Sequence, residues 1–147
     1  MCESLIEKQL SCKKVLLTSS GTDALEMACI LAKFKLNDEV IMPSFNFPSS
    51  ATAVLRCGAK PVFVEIEKET MNISPDEIEK SITKKTRGII IVYYAGVACD
   101  LKKILKITKK YSLILIEDAA HAIYSKYGDK YLGTFGDFGI LSFHQTK

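Results

Sequence analysis

The sequence predicts an α/β fold, a three-layer α/β/α arrangement with helices on both faces of a mostly parallel sheet. Three observations carry that expectation. Short apolar runs rich in β-branched residues alternate with stretches of helical periodicity, the signature of repeated βαβ units. Two of these runs, Ile89-Ile90-Ile91-Val92 and Leu113-Ile114-Leu115-Ile116, show no polar alternation, as strands covered on both faces require. The 147 residues are 48% hydrophobic and 25% charged, which suits one globular domain with a real core.

Taken in order, the first strand is expected over residues 15–18. A helix follows over 22–34, and its stretch Met27-Ala28-Cys29-Ile30-Leu31-Ala32 is apolar all round, which predicts burial. A strand over 39–42 leads to a helix over 47–57 that Gly58 ends, and then to a strand over 61–65. Ser74-Pro75-Asp76-Glu77 opens the next helix with an N-cap serine, a proline at the first helical position and a glutamate that closes a capping box. Strands over 88–93 and 112–117 belong at the sheet centre, and between them Asp100 caps a helix that runs to Lys110. Beyond Tyr124 the pattern changes to short strand-like pieces with Gly128, Gly133, Gly136 and Gly139, where turns or close backbone approach are needed.

Several function classes are excluded by composition. Twenty basic against 17 acidic residues leave a formal charge of +3, too mild to demand nucleic acid or an anionic membrane. Lys102, Lys103, Lys106, Lys109 and Lys110 cluster, but they alternate with Leu101, Ile104, Leu105 and Thr108 as the wet face of an amphipathic helix. Cys2, Cys12, Cys29, Cys57 and Cys99 form an odd set without a C-x-x-C pair, so reduced thiols are expected, with no disulfide framework and no metal. The first residues lack a basic segment followed by an apolar one, and the longest uncharged apolar stretch, 88–99, is too short to span a bilayer. A cytoplasmic protein is the expectation.

Ligands of open α/β sheets bind beyond the carboxyl ends of the strands, and four such places carry chemistry here. Thr18-Ser19-Ser20-Gly21-Thr22 is a hydroxyl- and glycine-rich turn before a helix, equally suited to a phosphate or to a plain N-capped turn. It is neither a G-x-G-x-x-G fingerprint nor a Walker loop, which disfavours dinucleotides and ATP. Glu117-Asp118 ends an apolar strand in adjacent carboxylates, which need a cationic nitrogen, a metal or a capping role to offset burial. Pro43-Ser44-Phe45-Asn46-Phe47-Pro48 places two aromatics after a strand, as core or as a platform for a flat ligand. The fourth place, 139–147, leads through Ser142 and His144 to Lys147.

Together the segments VLLTSSGTDALEMA, DEVIMPSFNF, GAKPVFVEI, TMNI, YAGVACD, EDAAHA and LGTFGDFGILSFHQTK resemble the DegT/DnrJ/EryC1/StrS family of sugar-nucleotide aminotransferases. The likeness is especially close to the dTDP-4-amino-4,6-dideoxygalactose transaminases within it. The resemblance implies the large domain of the type I fold that binds pyridoxal 5'-phosphate (PLP). It also implies that Lys147 carries the cofactor and acts as acid and base, that Asp118 pairs with the pyridine nitrogen, and that His121 meets the pyridoxal oxygen. Phe47 would stack on the ring, while Gly21, Thr22 and Ser142 would hold the phosphate. The implied reaction moves an amino group from glutamate to a nucleotide-linked 4-keto-6-deoxy sugar in polysaccharide synthesis.

Against the family pattern, residues 1–147 are expected to form a partial PLP-binding large domain, without the N-terminal segment and C-terminal domain of full-length, homodimeric relatives. Tyr93 also stands where a histidine is common. A truncated, non-catalytic remnant that acts only as a binding module is the rival expectation, with a distinct nucleotide-binding α/β domain behind it. Uncovered apolar edges predict self-association.

Overall fold

The computed structural model describes residues 2–145. Helix α1 (Cys2–Leu10) leads through an irregular segment to α2 (Gly21–Leu31), then β1 (Glu39–Pro43), α3 (Ser49–Arg56), β2 (Lys60–Val64), α4 (Pro75–Lys80) and β3 (Thr86–Val92). A 3-10 turn (Tyr94–Gly96) precedes α5 (Leu101–Tyr111) and β4 (Ile114–Asp118), followed by the hairpin β5 (Lys126–Tyr127) and β6 (Lys130–Tyr131) and by β7 (Phe138–Ile140). The main sheet has five strands in the order β2-β1-β3-β4-β7, every neighbouring pair parallel, with β5 and β6 pairing separately. The expected three-layer α/β/α architecture is the one observed.

Strand alternation divides the core in two. Ile89, Ile91 and Leu115 pack with Ile78 of α4 and with Leu101, Ile104 and Ile107 of α5. Ile90, Ile116 and Ile140 point the other way, to Leu25, Ala28 and Cys29 of α2 and to Ala53 and Val54 of α3. Every apolar position of β3 from Ile89 to Ile91 is therefore buried, as its unbroken hydrophobic run requires. Helix α5 is also as expected: the Asp100 side chain accepts from the Lys103 N–H, and all five lysines face outward. All five cysteines are free thiols, Cys29 in one core half and Cys99 in the other. Among the described residues no helix is long and apolar enough to cross a membrane.

Four local expectations are corrected. No strand forms over 15–18, because no neighbour in the sheet pairs with it. The backbone N–H groups of Val15 and Leu17 are instead accepted by the carboxylates of Glu7 and Glu3 on α1, a helix the sequence did not announce, and Leu16 and Leu17 stay exposed. In α2 only part of the all-apolar stretch is buried: Ala28 and Cys29 face the sheet, whereas Ile30 is 66% exposed and Leu31 lies beside it in solvent. One helix face meets one sheet, so a fully apolar circumference is not a fully buried one. Helix α3 starts only at Ser49, with Pro48 in the N-cap position, which leaves Phe47 in the preceding loop. At α4, Pro75 holds the first helical position, but Ser74 makes no side-chain capping bond. The Ser74 N–H, which the Glu77 side chain would accept, donates instead to the Glu65 carbonyl at 3.1 Å, and Glu77 pairs with Lys80 at 2.7 Å, so the capping box does not close.

The glycine-rich limb after Tyr124 is close-packed. A Cβ on Gly139 would lie 1.8 Å from the Gly133 carbonyl oxygen, and Gly133 itself sits at φ +86°. Both positions require glycine.

Candidate active site at the carboxyl ends of the strands

Strand β4 delivers two carboxylates to opposite faces of the sheet, since adjacent strand residues alternate. Glu117 turns toward the α5 side and is fully buried. Its Oε1 accepts from the N–H groups of Phe135 at 2.6 Å and Gly136 at 2.5 Å, and its Oε2 from Gly133 N–H at 3.0 Å and from the Tyr93 hydroxyl. Four donors satisfy the carboxylate without a cation. Burial, and then the charge of Glu117, push the Tyr93 hydroxyl far above the usual tyrosine range, so it remains a donor. Of the roles open to the acidic pair, Glu117 takes none: it anchors the turn at 133–136. Asp137 braces the same limb, exchanging backbone and side-chain bonds with Leu115 at 2.9 Å each.

Asp118 shares the other face with Ile116, on the side of α2 and α3. It is 7% exposed, lies in register with Ile140 of β7, and accepts the Ala120 N–H on Oδ1 at 3.1 Å. Two residues beyond Ile140 the chain reaches Ser142. A Cβ added to Gly21 would stand 3.7 Å from the Ser142 Cβ and 3.8 Å from its Oγ, so the start of α2 and the end of β7 meet. Thr22 follows one residue into α2 and is half-buried. Ser20 caps the helix by accepting from the Asp23 N–H at 3.0 Å, while the N–H groups of the first turn have no partner within the helix. Hydrogen bonds from Ser19 and then Ser20 lower the Asp23 carboxyl below its ordinary range. The N-capped turn is thus real, with Ser20 as its cap.

Phe47 is 71% exposed on the loop after β1, where it borders a cavity of about 250 Å³ together with Met42, Asn46, Pro48 and Phe63. Asn46 Nδ2 and Ser50 Oγ, buried in the same loop and helix start, have no hydrogen-bond partner among the described residues. His121 lies after β4, its ring edge-on to Tyr94 at 6.3 Å between centroids, and Tyr94 in turn meets Phe45 at 5.3 Å. Tyr94 was missed by the sequence reading, although an aromatic directly after a buried strand was the available signal. Lys147 falls outside the described residues. Of the other expected residues, Asp118, Gly21, Thr22 and Ser142 are gathered around the β4–β7 and α2 ends, while Phe47 and His121 stand on loops along the same carboxyl rim. No group of three or more His, Cys, Asp or Glu gathers as a metal site among the described residues.

This donor set fits pyridoxal phosphate. A buried carboxylate suits a protonated ring nitrogen, a glycine and a serine beside a helix N-terminus suit a phosphate, and an exposed aromatic suits a ring face.

The chain is 41% identical over 129 residues to GDP-perosamine synthase of Escherichia coli O157:H7, an alignment covering 88% of this chain and 35% of that protein. Among solved structures, the aminotransferase from Psychrobacter cryohalolentis superposes with a TM-score of 0.89 at 34% identity, over 91% of this chain and 34% of its own. NtdA from Bacillus subtilis with bound cofactor PMP superposes with a TM-score of 0.83 at 37% identity, over 89% and 30%. The chain thus spans about a third of the length of the relatives it matches. Likeness of fold alone would leave the ligand open, but the family model matches the sequence itself, from residue 3 to residue 147. With that match, the chain belongs to the DegT/DnrJ/EryC1/StrS aminotransferase family.

Proposed function

We propose that this chain supplies the pyridoxal-phosphate-binding part of a sugar aminotransferase. The observation that carries the reading is the placement of Asp118, buried at the end of β4 on the α2 face, beside a strand whose continuation meets Gly21. Bound there, pyridoxal phosphate supplies a carbonyl that takes up an amino group and a ring that accepts electrons.

The residues of the chain divide the remaining work. Asp118, largely withdrawn from water, keeps a proton on the ring nitrogen by the charge it places against it. Gly21 lets the backbone approach the phosphate, and Thr22 and Ser142 add hydroxyl donors to the first-turn N–H groups of α2. Phe47 offers a stacking face and His121 a donor to the ring oxygen, so the group is held in one orientation. Lys147 Nζ would tether the cofactor and would hold and move a proton at the substrate carbon.

The proposed reaction takes the amino group from glutamate to a nucleotide-linked 4-keto-6-deoxy sugar, in the manner of a dTDP-4-amino-4,6-dideoxygalactose transaminase, in the cytoplasm. Similarity to a GDP-perosamine synthase supports a sugar nucleotide as substrate class. A homodimer in which a second subunit completes the sugar pocket is part of the same proposal.

Borohydride reduction of the chain after incubation with pyridoxal phosphate, followed by peptide mass analysis, tests it. An adduct on Lys147 that is reduced by Asp118→Asn and by Gly21→Val is expected. An adduct spread over surface lysines and indifferent to Asp118 would overturn the assignment.

A further inference from the structure

Asn72, in the Thr70-Met71-Asn72-Ile73 segment between β2 and α4, is 1% exposed, and both ends of its amide are bonded across the chain. Its Oδ1 accepts from the Tyr94 backbone N–H at 2.9 Å, and its Nδ2 donates to the Val97 carbonyl at 3.0 Å. These two atoms bracket the turn Tyr94–Gly96. Inside it Ala95 sits at φ 51° and ψ 25°, with Gly96 at φ 77°, so two consecutive residues are left-handed and one of them is not glycine. The turn has no slack toward its neighbour: a Cβ on Gly96 would lie 2.9 Å from Ser125 Oγ and 3.0 Å from the His121 carbonyl oxygen. A conformation this unfavourable for alanine persists only where surrounding bonds over-determine it: the turn has two backbone bonds of its own, from the Gly96 N–H to the Tyr93 carbonyl and from the Val97 N–H to the Tyr94 carbonyl, each at 3.0 Å, and the Asn72 side chain adds two from outside. Its product is the position of Tyr94, whose ring lies between Phe45 and His121.

We propose that Asn72 is a positioning residue for the active site: its amide holds the left-handed turn Tyr94–Gly96 and, through Tyr94, helps set the ring of His121. The inference rests on the reading of His121 as a cofactor contact. Asn72 touches no reacting atom. It acts at one remove, as the partners behind a binding group do when they restrict its orientation.

The test reads the place of the His121 ring without any cofactor. In the full chain, the His121 ring resonances, assigned with His121→Gln, are followed by NMR together with exchange of the 93–97 amides. Asn72→Ala removes two hydrogen bonds, so exchange of the Tyr94 amide should rise by about tenfold or more while the amides of α5 keep their protection. The His121 resonances should move as the Tyr94 ring leaves. Adding Ala95→Gly should return the His121 resonances toward the parent values, because glycine takes the left-handed turn without the clamp, while the Tyr94 amide, its acceptor gone, stays fast to exchange. A general loss of stability would raise exchange in α5 as well, which separates it from release of the turn alone. If Asn72→Ala alone does not fold, the double variant carries the test: native His121 resonances support the proposal. Displaced His121 resonances in a folded double variant overturn it, as do unmoved resonances in Asn72→Ala. With pyridoxal phosphate added, affinity should fall in Asn72→Ala and recover in the double variant. A missing Lys147 adduct in the unsubstituted chain would remove the cofactor reading while leaving the hold of Asn72 on His121 to be judged by NMR alone.

Discussion

Residues 11–20 and the limb from Gly133 to Ser142 arrive at the same point, where Gly21 faces Ser142, but they are held in opposite ways. The first has no strand partner; two of its amides are accepted by side chains of a surface helix, and its leucines face water. The second is fixed by a fully buried carboxylate with four donors, by the two-way bond of Asp137 with Leu115, and by a glycine-on-glycine backbone contact. One side of the proposed phosphate cradle is built into the sheet. The other depends on the cap of a single helix. Stability should therefore separate by region, the limb governing the fold and residues 11–20 only their own order.

The largest effect is expected from Glu117→Ala. It strands a buried tyrosine hydroxyl and three partly buried N–H groups, and with about 1–3 kcal/mol for each donor that water cannot reach, a loss of about 3 kcal/mol or more should appear in urea unfolding. A variant as stable as the parent would show that the limb does not need its anchor. Next comes Gly139→Ala, whose Cβ has no room against the Gly133 carbonyl; separation of β7 from that turn should cost about 3 kcal/mol and weaken cofactor retention through Ser142. The smallest effect belongs to Glu7→Gln. The N–H of Val15, and then Lys14, hold the Glu7 carboxyl below its ordinary range, so the folded value lies under the unfolded one. Its tether is complete above the unfolded carboxylate range and fades as pH falls through the depressed folded value. Exchange of the amides over 13–17 should accelerate in that acidic window, and at neutral pH in Glu7→Gln, with no visible change in the melting of the sheet. A cooperative loss of the whole fold in Glu7→Gln would erase the contrast between the two regions.

What was legible in the sequence follows the same division. Strands β3 and β4 announced themselves because a strand buried on both faces leaves an unbroken apolar run. The Asp100 cap and the lysine face of α5 are local features, and local features survive the passage from sequence to structure. Residues 15–18 carry a strand-like pattern, but pairing is a long-range event and no partner is offered. Ile30 and Leu31 were expected inside because composition does not say which face of a helix meets a sheet. The capping box at Ser74 failed through competition, since the Glu65 carbonyl takes the Ser74 N–H. In the site, the meeting of Gly21 with Ser142 and the burial of Asp118 agree with the order of the motifs. The split between Glu117 and Asp118 was readable in principle from alternation with Ile116, yet the turn that Glu117 serves lies 16 to 19 residues away. Tyr94 and Asn72 were harder still, because their importance rests on a bond across 22 residues and a left-handed alanine that no composition signals.

The distribution of thiols across the two core halves gives the protein a labelling clock. Burial pushes Cys29, on the sheet-facing side of α2, and Cys99, near the start of α5, up to about 12, so neither offers a thiolate to an alkylating reagent while its layer stays closed. Cys2 is exposed and reacts at once. Slow modification of Cys29 would time the lifting of the α2–α3 layer, and that of Cys99 the lifting of the α4–α5 layer. The order in which the two masses appear would tell which side of the sheet breathes first.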